Sequence, residues 1–137
     1  MSSPIDSLIA TALAARLRAY APYSQFQVGA ALLTRDGQTF SGCNVENASY
    51  GLCNCAERTA LFGAIAAGYG PGDFTHLAVV GDTPEPIAPC GACRQVMLEL
   101  GGPDLIVLQA NVDGDVYETT AAALLPGAFT LDPGGQG

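Results

Sequence analysis

The sequence predicts an α/β fold, a layered α/β/α sandwich built around a mixed β-sheet. The first observation is the turn signal Arg35-Asp36-Gly37 between two strand-like runs, residues 26–34 and 38–45, which predicts a β-hairpin. The second is the order strand, helix, strand, helix, strand along the chain, which is typical of crossover units in layered α/β proteins. Antiparallel pairing in the hairpin and parallel pairing across the crossovers together predict a mixed sheet.

An N-terminal helix is predicted to begin at the segment SPID (3–6). This segment has the S-x-x-D pattern of a helix start and carries proline at the first helical position. Apolar residues then recur every three or four positions from Ile5 to Tyr20. We therefore expect this helix to end just before Pro22.

The middle of the chain predicts two more helices and two more strands. Residues 55–68 (CAERTALFGAIAAG) form a helical pattern that stops before the Gly-Pro-Gly break at 70–72, and residues 75–82 (THLAVVGD) are typical of a buried strand. Residues 89–100 (PCGACRQVMLEL) predict the third helix, and residues 104–111 (DLIVLQAN) predict the following strand. Each of these two helices therefore begins in a loop that follows a strand.

One domain spanning residues 1–137 is expected. A chain of 137 residues is long enough to bury one core, and it contains no internal repeat or linker. Near the C-terminus, Thr119 or Thr120 is expected to cap a short Ala/Leu helix that ends by Pro126. We expect the last residues, 132–137, to be a disordered tail.

The charge of the chain argues against a nucleic-acid partner. The formal net charge is −8, with five arginines and no lysine. Proteins hold long nucleic acids by neutralising phosphates with clustered lysine and arginine, and this chain has no such cluster. A small uncharged ligand remains compatible with the composition.

The composition also predicts a compartment and an assembly. The N-terminal residues lack the basic and apolar regions of a signal peptide, and no run approaches the roughly 20 apolar residues of a membrane span. We therefore expect a cytoplasmic protein with reduced thiols and no membrane partner. Charged residues make up only 13% of the chain, which favours an oligomer that buries part of its surface.

Three cysteines are predicted to meet. Cys90 and Cys93 are three residues apart at the start of the third helix, which places both sulfurs on one face, and Cys55 lies at the start of the second. The first turns of helices in α/β folds converge at the carboxyl ends of the strands, so the three thiols can meet there. Helix N-termini also stabilise thiolates, which are the form of cysteine that binds zinc. Three protein ligands leave the fourth zinc position open, which is typical of a catalytic site.

Two charged residues follow Cys55 directly in the predicted second helix. Glu57 can lie beside the metal without binding it, and a carboxylate beside a zinc-activated water can carry protons. Three thiolates and Zn²⁺ together carry a charge of −1, so we expect a donor that offsets this charge. Arg58 is the candidate donor to the thiolates.

C-A-E at 55–57 and P-C-x-x-C at 89–93 resemble the metal-binding motifs of the zinc deaminases. In this chain Cys55 takes the place of the histidine found in one form of that signature. The resemblance extends over nearly the whole chain and is specifically to the small homotetrameric cytidine deaminases. The segments that carry it are PYSQFQVGAA (22–31), GCNVENASYG (42–51), CAERTA (55–60), PCGACRQ (89–95) and LLPGAF (124–129).

The resemblance implies the cytidine deaminase fold and the hydrolytic deamination of free cytidine and deoxycytidine to uridine and deoxyuridine, with release of ammonia, in pyrimidine salvage. One zinc ion per subunit would be held by Cys55, Cys90 and Cys93. Activated water would attack C4 of the ring, with Glu57 as the proton shuttle. The implied substrate contacts are Phe26 and Phe129 on the two faces of the pyrimidine, Asn44 and Glu46 at the ribose 3′-hydroxyl, Tyr50 near the sugar, and Ala56. Phe129 would come from a neighbouring subunit of a homotetramer.

Other interpretations remain open on the sequence. A deaminase of a cytosine nucleoside antibiotic of the blasticidin type shares the zinc motifs, and an editing deaminase acting on polynucleotides is disfavoured by charge. Cys53 could compete as a fourth ligand and close the metal site, which would make the site structural. A non-catalytic interaction module stabilised by zinc is a further alternative, although it leaves Glu57 without a role.

Overall fold

A five-stranded mixed sheet forms the centre of the protein, whose computed structural model describes residues 3–131. The strands are β1 (Val28–Thr34), β2 (Thr39–Cys43), β3 (Phe74–Gly81), β4 (Ile106–Asn111) and β5 (Val116–Thr120). Their order across the sheet is β2-β1-β3-β4-β5. The β3–β4 pair is parallel and the other neighbouring pairs are antiparallel. The predicted hairpin is β1–β2, and the predicted mixed sheet is confirmed.

Helices cover both faces of this sheet. They are α1 (Pro4–Arg16), α2 (Ala56–Ala66), α3 (Gly91–Val96) and α4 (Ala121–Leu124), with a 3₁₀ turn at Tyr50–Leu52 and a π-helical turn at Met97–Gly101. Leu8 and Ala12 of α1 pack on one face of the sheet, against Ala31, Ala78 and Leu108 among others. The core on the opposite face contains residues of α2 and the π-helical turn. The predicted α/β/α layering is therefore confirmed.

Glycines let two helices approach the sheet closely. A Cβ atom added to Gly29 of β1 would lie 1.9 Å from the Ala12 carbonyl oxygen of α1, and one added to Gly42 of β2 would lie 2.4 Å from the Ala56 carbonyl oxygen of α2. Neither approach leaves room for a side chain. The contact at Gly42 fixes the start of α2 against the sheet, and this part of α2 carries Cys55 and Glu57.

Replacing Gly29 by alanine is expected to destabilise the fold, because the new methyl group clashes with helix backbone that cannot rotate away. Overpacking of this kind costs about 1–3 kcal/mol or more. The matched control is Gly63→Ala in α2, where an added Cβ meets nothing within 4 Å. This control should stabilise the protein by about 0.5–1 kcal/mol through helix propensity. Urea unfolding measures both effects, and a Gly29→Ala midpoint equal to that of the unmodified protein would contradict the packing described.

The first helix ends earlier than its apolar pattern predicted, at Arg16 rather than just before Pro22. The cause is a backbone pairing made by Tyr20. Its N–H donates to the Asn44 carbonyl at 3.0 Å, and its carbonyl accepts from the Glu46 N–H at 2.8 Å. This bridge requires extended backbone at Tyr20, so the prediction of helix up to that residue was wrong.

Two further elements differ from the sequence prediction. Strand β5 was not predicted; it lies at the edge of the sheet and pairs with β4. The predicted third helix is divided into α3 and the π-helical turn. Thr120 does cap α4, as one of the two predicted candidates, by accepting a hydrogen bond from the Ala123 N–H. The predicted tail at 132–137 lies outside the described residues.

Candidate active site

Three thiols meet where α2 and α3 begin. Cys55 is the residue that caps α2, Cys90 caps α3, and Cys93 lies in the first turn of α3. Their sulfur atoms all lie within 4.8 Å of one another, and the Cys55 and Cys90 sulfurs are 3.7 Å apart. Two thiolates on one tetrahedral zinc ion, each at about 2.3 Å, are separated by about 3.8 Å. The donor set therefore fits zinc, with one position of the tetrahedron left for water or substrate.

The surroundings of the cluster favour the thiolate form of Cys55. Arg58 Nη2 donates to Cys55 Sγ at 3.4 Å, and the Cys93 N–H donates to Cys90 Sγ at 3.4 Å. Hydrogen bonding from the Cys93 thiol and from Arg58 lowers the pKa of Cys55 to about 5 in the metal-free protein. The pKa of Cys93 is raised, because its proton is held by the Cys55 thiolate and its thiol is buried. The Cys55 thiolate in turn raises the pKa of Arg58.

Glu57 is the one carboxylate in the described chain that is buried at this cluster. It lies in the first turn of α2 and is 4% exposed. Burial is the main cause that raises its pKa, to about 7, in the absence of metal. A buried carboxylate beside a metal position can accept a proton and release it to a nearby group.

A groove of about 240 Å³ opens beside the cluster and contains most of the predicted site residues. It is lined by Ser24, Phe26, Val28, Asn44, Glu46, Cys55, Ala56, Glu57, Ile87, Ala88 and Cys90. Cys93 is buried and does not line the groove. The groove therefore brings together two metal-binding thiols, the buried carboxylate, an aromatic ring and the side chains of Asn44 and Glu46 from the segment that follows β2.

The polar side chains at the groove hold the loop that precedes β1. Asn44 Oδ1 accepts from the Val28 N–H at 2.8 Å, and Asn44 Nδ2 donates to the Phe26 carbonyl at 2.8 Å. Glu46 Oε1 accepts from the backbone N–H groups of Tyr23 at 3.0 Å and Ser24 at 3.1 Å. Each side chain keeps further capacity, since an amide nitrogen has two hydrogens and a carboxylate has four acceptor positions.

Two predicted substrate residues do not line the groove. Tyr50 lines an adjacent cavity of about 300 Å³ together with Tyr23, Ser24, Glu46 and Cys53. Phe129 is 72% exposed, and its carbonyl accepts from Gln95 Nε2 at 3.0 Å. Both rings therefore remain available to a neighbouring molecule.

Cys53 lies outside the cluster of three thiols. Its sulfur contacts the backbone of Asn47, accepting from the N–H at 3.3 Å and donating to the carbonyl at 3.6 Å. It also lines the adjacent cavity with Tyr50 rather than the groove with Cys55. This placement does not support a fourth cysteine ligand.

The sequence did not predict four residues that line the groove, Ser24, Val28, Ile87 and Ala88. Ser24 stands between two aromatic residues in the segment PYSQF, which is a weak signal for a polar group at a binding site. Ile87 and Ala88 belong to the loop that leads from β3 to Cys90, so their position follows from the crossover connection.

Residues 2–109 match the family described as the cytidine and deoxycytidylate deaminase zinc-binding region. The chain belongs to this family. It is 58% identical to the cytidine deaminase of Halalkalibacterium halodurans, over 91% of this chain and 93% of that protein. It is 46% identical to the cytidine deaminase of Mycobacterium tuberculosis, over 83% of this chain and 80% of that protein.

Solved structures of deaminases share the fold. The crystal structure of cytidine deaminase from Burkholderia pseudomallei matches with a TM-score of 0.89 and 69% identity, over 90% of this chain and 97% of that chain. That of Mycobacterium tuberculosis matches with a TM-score of 0.81 and 42% identity, over 95% and 100% of the two chains.

Membership in the deaminase family confirms several predictions from the sequence. The predicted family, the hydrolytic deaminase class and one zinc ion per subunit are confirmed by the family match together with the cluster of three cysteines. None of the helices among residues 3–131 combines the length and the continuous apolar character that a membrane-spanning helix needs.

Proposed function

We propose that this deaminase hydrolyses free cytidine and deoxycytidine to uridine and deoxyuridine, with release of ammonia, as one domain spanning residues 1–137. The observation that carries the proposal is the buried carboxylate of Glu57 beside the three-thiol cluster, at a groove of nucleoside size. We further propose that the enzyme serves pyrimidine salvage in the cytoplasm.

In this proposal Cys55, Cys90 and Cys93 hold the zinc ion, and Arg58 offsets the charge of the thiolates through its hydrogen bond to Cys55. Bound zinc lowers the pKa of a coordinated water so that it becomes a nucleophile near neutral pH. The Arg58 guanidinium also fixes the orientation of the Cys55 sulfur.

Glu57 moves the protons of the reaction. Water adds to C4 of the cytosine ring, and Glu57 takes a proton from that water and delivers it to ring N3. A second proton, carried by Glu57 from the added hydroxyl to the exocyclic nitrogen, allows the C4–N4 bond to break and ammonia to leave. The ring keeps the oxygen at C4, and Glu57 returns to its starting protonation state.

The substrate is oriented by the residues on the rim of the groove. Phe26 stacks on the pyrimidine, Ala56 contacts it from the start of α2, and Asn44 and Glu46 bind the 3′-hydroxyl of the sugar through the hydrogen-bonding capacity that they keep. Tyr50 lies near the sugar from the adjacent cavity. These contacts do not involve the 2′ position, so cytidine and deoxycytidine are both substrates.

A comparison of cytidine, deoxycytidine and cytidine 5′-monophosphate tests the proposed substrate class. The described residues that line the groove include two glutamates and no arginine, so a phosphate finds no partner there. We expect similar kcat/KM for the two nucleosides and a value at least about tenfold lower for the monophosphate, which corresponds to about 1.4 kcal/mol. Equal turnover of the monophosphate would refute the nucleoside assignment.

We also propose that four copies of the chain assemble into a homotetramer. Large apolar side chains are exposed on the single chain, including Leu17, Tyr50, Leu52, Phe62 and Phe129. Exposed apolar surface of this kind is typical of a protein interface. In the assembly, the Phe129 ring covers the pyrimidine bound by a neighbouring subunit.

Phe129→Ala is expected to raise KM for cytidine with a smaller effect on kcat. Stacking of an aromatic ring on a base contributes about 1–3 kcal/mol, or about 5- to 160-fold in binding. Tyr117→Ala, which removes an exposed ring on the edge strand β5, is the matched control and should leave KM unchanged. Sedimentation alongside the kinetics gives the oligomeric state. An unchanged KM in Phe129→Ala, or a fully active monomer in dilute solution, would contradict the proposal.

A further inference from the structure

Ser24 joins a proposed sugar-binding side chain to a proposed base-stacking residue. Its hydroxyl donates to Glu46 Oε2 and accepts from the Phe26 N–H, the latter at 3.0 Å. Its backbone N–H donates to Glu46 Oε1 at 3.1 Å. One serine therefore contacts both oxygens of the carboxylate and the backbone of the aromatic residue.

The residue after Ser24 has an unusual backbone conformation. Gln25 has φ of +57°, and it is the one non-glycine residue with positive φ among residues 3–131. The left-handed region is disfavoured for residues with a Cβ atom. Hydrogen bonds on both sides offset this cost: Gln25 N–H donates to the Ala21 carbonyl at 2.9 Å, and the Phe26 N–H donates to Ser24.

Asn44 is held independently of Ser24. Its side chain is fixed by the backbone of Phe26 and Val28, at 2.8 Å on each side. Loss of the Ser24 hydroxyl leaves these two bonds in place. It removes the hydrogen bond to Glu46 Oε2, whereas Glu46 Oε1 keeps two backbone donors. It also removes the acceptor of the Phe26 N–H, but Asn44 still holds Phe26 through its carbonyl.

We infer that Ser24 is a positioning residue that orients the Glu46 carboxylate toward the 3′-hydroxyl of the nucleoside, so that it contributes to the selection of substrates carrying this hydroxyl. This inference rests on the proposed contact between Glu46 and the sugar. The Ser24 hydroxyl is also the main cause that lowers the pKa of Glu46, as expected of a donor that stabilises the carboxylate. Glu46 acts on the sugar directly, and Ser24 acts through Glu46.

The test compares two substrates that differ only at the 3′ position, 2′-deoxycytidine and 2′,3′-dideoxycytidine. For Ser24→Ala we expect kcat/KM for 2′-deoxycytidine to fall about tenfold, mainly through KM, because a hydrogen bond to a charged group is lost. The value for 2′,3′-dideoxycytidine should stay within about twofold of the unmodified enzyme, since that substrate makes no 3′-hydroxyl contact. Ser24→Thr keeps a hydroxyl and should restore part of the preference.

The matched control is Ser41→Ala, an exposed serine on β2 that does not line the groove. This variant should leave kcat/KM unchanged for both substrates. An equal fall in kcat/KM for both substrates in Ser24→Ala would show that the role of Ser24 is structural only, and it would overturn the inference. An unchanged kcat/KM for both substrates would also overturn it. Should Ser24→Ala fail to fold, Ser24→Cys replaces it with the same expected selectivity, because a thiol donates only weakly.

Glu46→Gln separates failure of this inference from failure of the proposed sugar contact. If Glu46→Gln affects 2′-deoxycytidine far more than the dideoxy substrate while Ser24→Ala does not, the role of Ser24 alone is wrong. If Glu46→Gln affects both substrates equally, Glu46 does not bind the 3′-hydroxyl, and the proposed contact and the inference are both overturned. If both variants lose kcat/KM for 2′-deoxycytidine but not for the dideoxy substrate, the sugar contact of Glu46 and the role of Ser24 are both supported.

Discussion

Glu57→Gln is expected to lower kcat for cytidine by about 10²- to 10⁴-fold, which is the usual contribution of a positioned general acid and base. Glutamine has nearly the shape of glutamate and fits the same buried space, but its amide cannot take a proton from water and pass it on. The loss should therefore appear in kcat, with cytidine still bound. Steady-state kinetics and metal analysis of the same preparation give the rate and the zinc content.

The matched control for this variant is Glu99→Gln, since Glu99 is an exposed glutamate that does not line the groove. It should retain full activity and one zinc ion per subunit. A Glu57→Gln protein that retains zinc and turns over cytidine within about tenfold of the unmodified enzyme would show that another group carries the protons.

Cys55→Ser and Cys90→Ser are each expected to lose zinc and to reduce deamination to the background rate. A serine hydroxyl does not ionise at neutral pH and is a poor zinc ligand compared with a thiolate. Measured zinc per subunit and ammonia release should fall together in each variant.

Cys53→Ser is the matched control for the cysteine variants. The Cys53 sulfur contacts the Asn47 backbone, where a serine hydroxyl can donate and accept in the same way. We expect this variant to keep its zinc and its activity. Loss of zinc from Cys53→Ser would mean that the metal shell is closed by a fourth cysteine, and the site would then be structural.

The fold was predictable where local signals decide it. The Arg35-Asp36-Gly37 turn predicts the hairpin correctly, and the glycine break at 70–72 gives the end of α2 to within a few residues. The end of α1 was not predictable, because the pattern of apolar residues continues to Tyr20 while the backbone of Tyr20 pairs with residues more than twenty positions away. Long-range pairing of this kind overrides local periodicity.

The metal centre was predictable because its three cysteines all lie at helix starts, where the geometry of α/β folds brings them together. The rim of the groove was harder to predict. Ser24 is an exposed loop serine, and only its bonds to Glu46 and Phe26 distinguish it from any other surface serine. The proposed role of Phe129 requires a neighbouring subunit, because its ring is exposed on the single chain and does not line the groove.

The most direct test of the proposed function is to measure ammonia and uridine together when zinc-loaded protein acts on cytidine. Hydrolytic deamination predicts equal amounts of the two products, loss of both when the metal is removed by a chelator, and recovery on addition of Zn²⁺. A protein that binds one zinc ion per subunit, is fully folded and releases no ammonia from cytidine would contradict the proposed function.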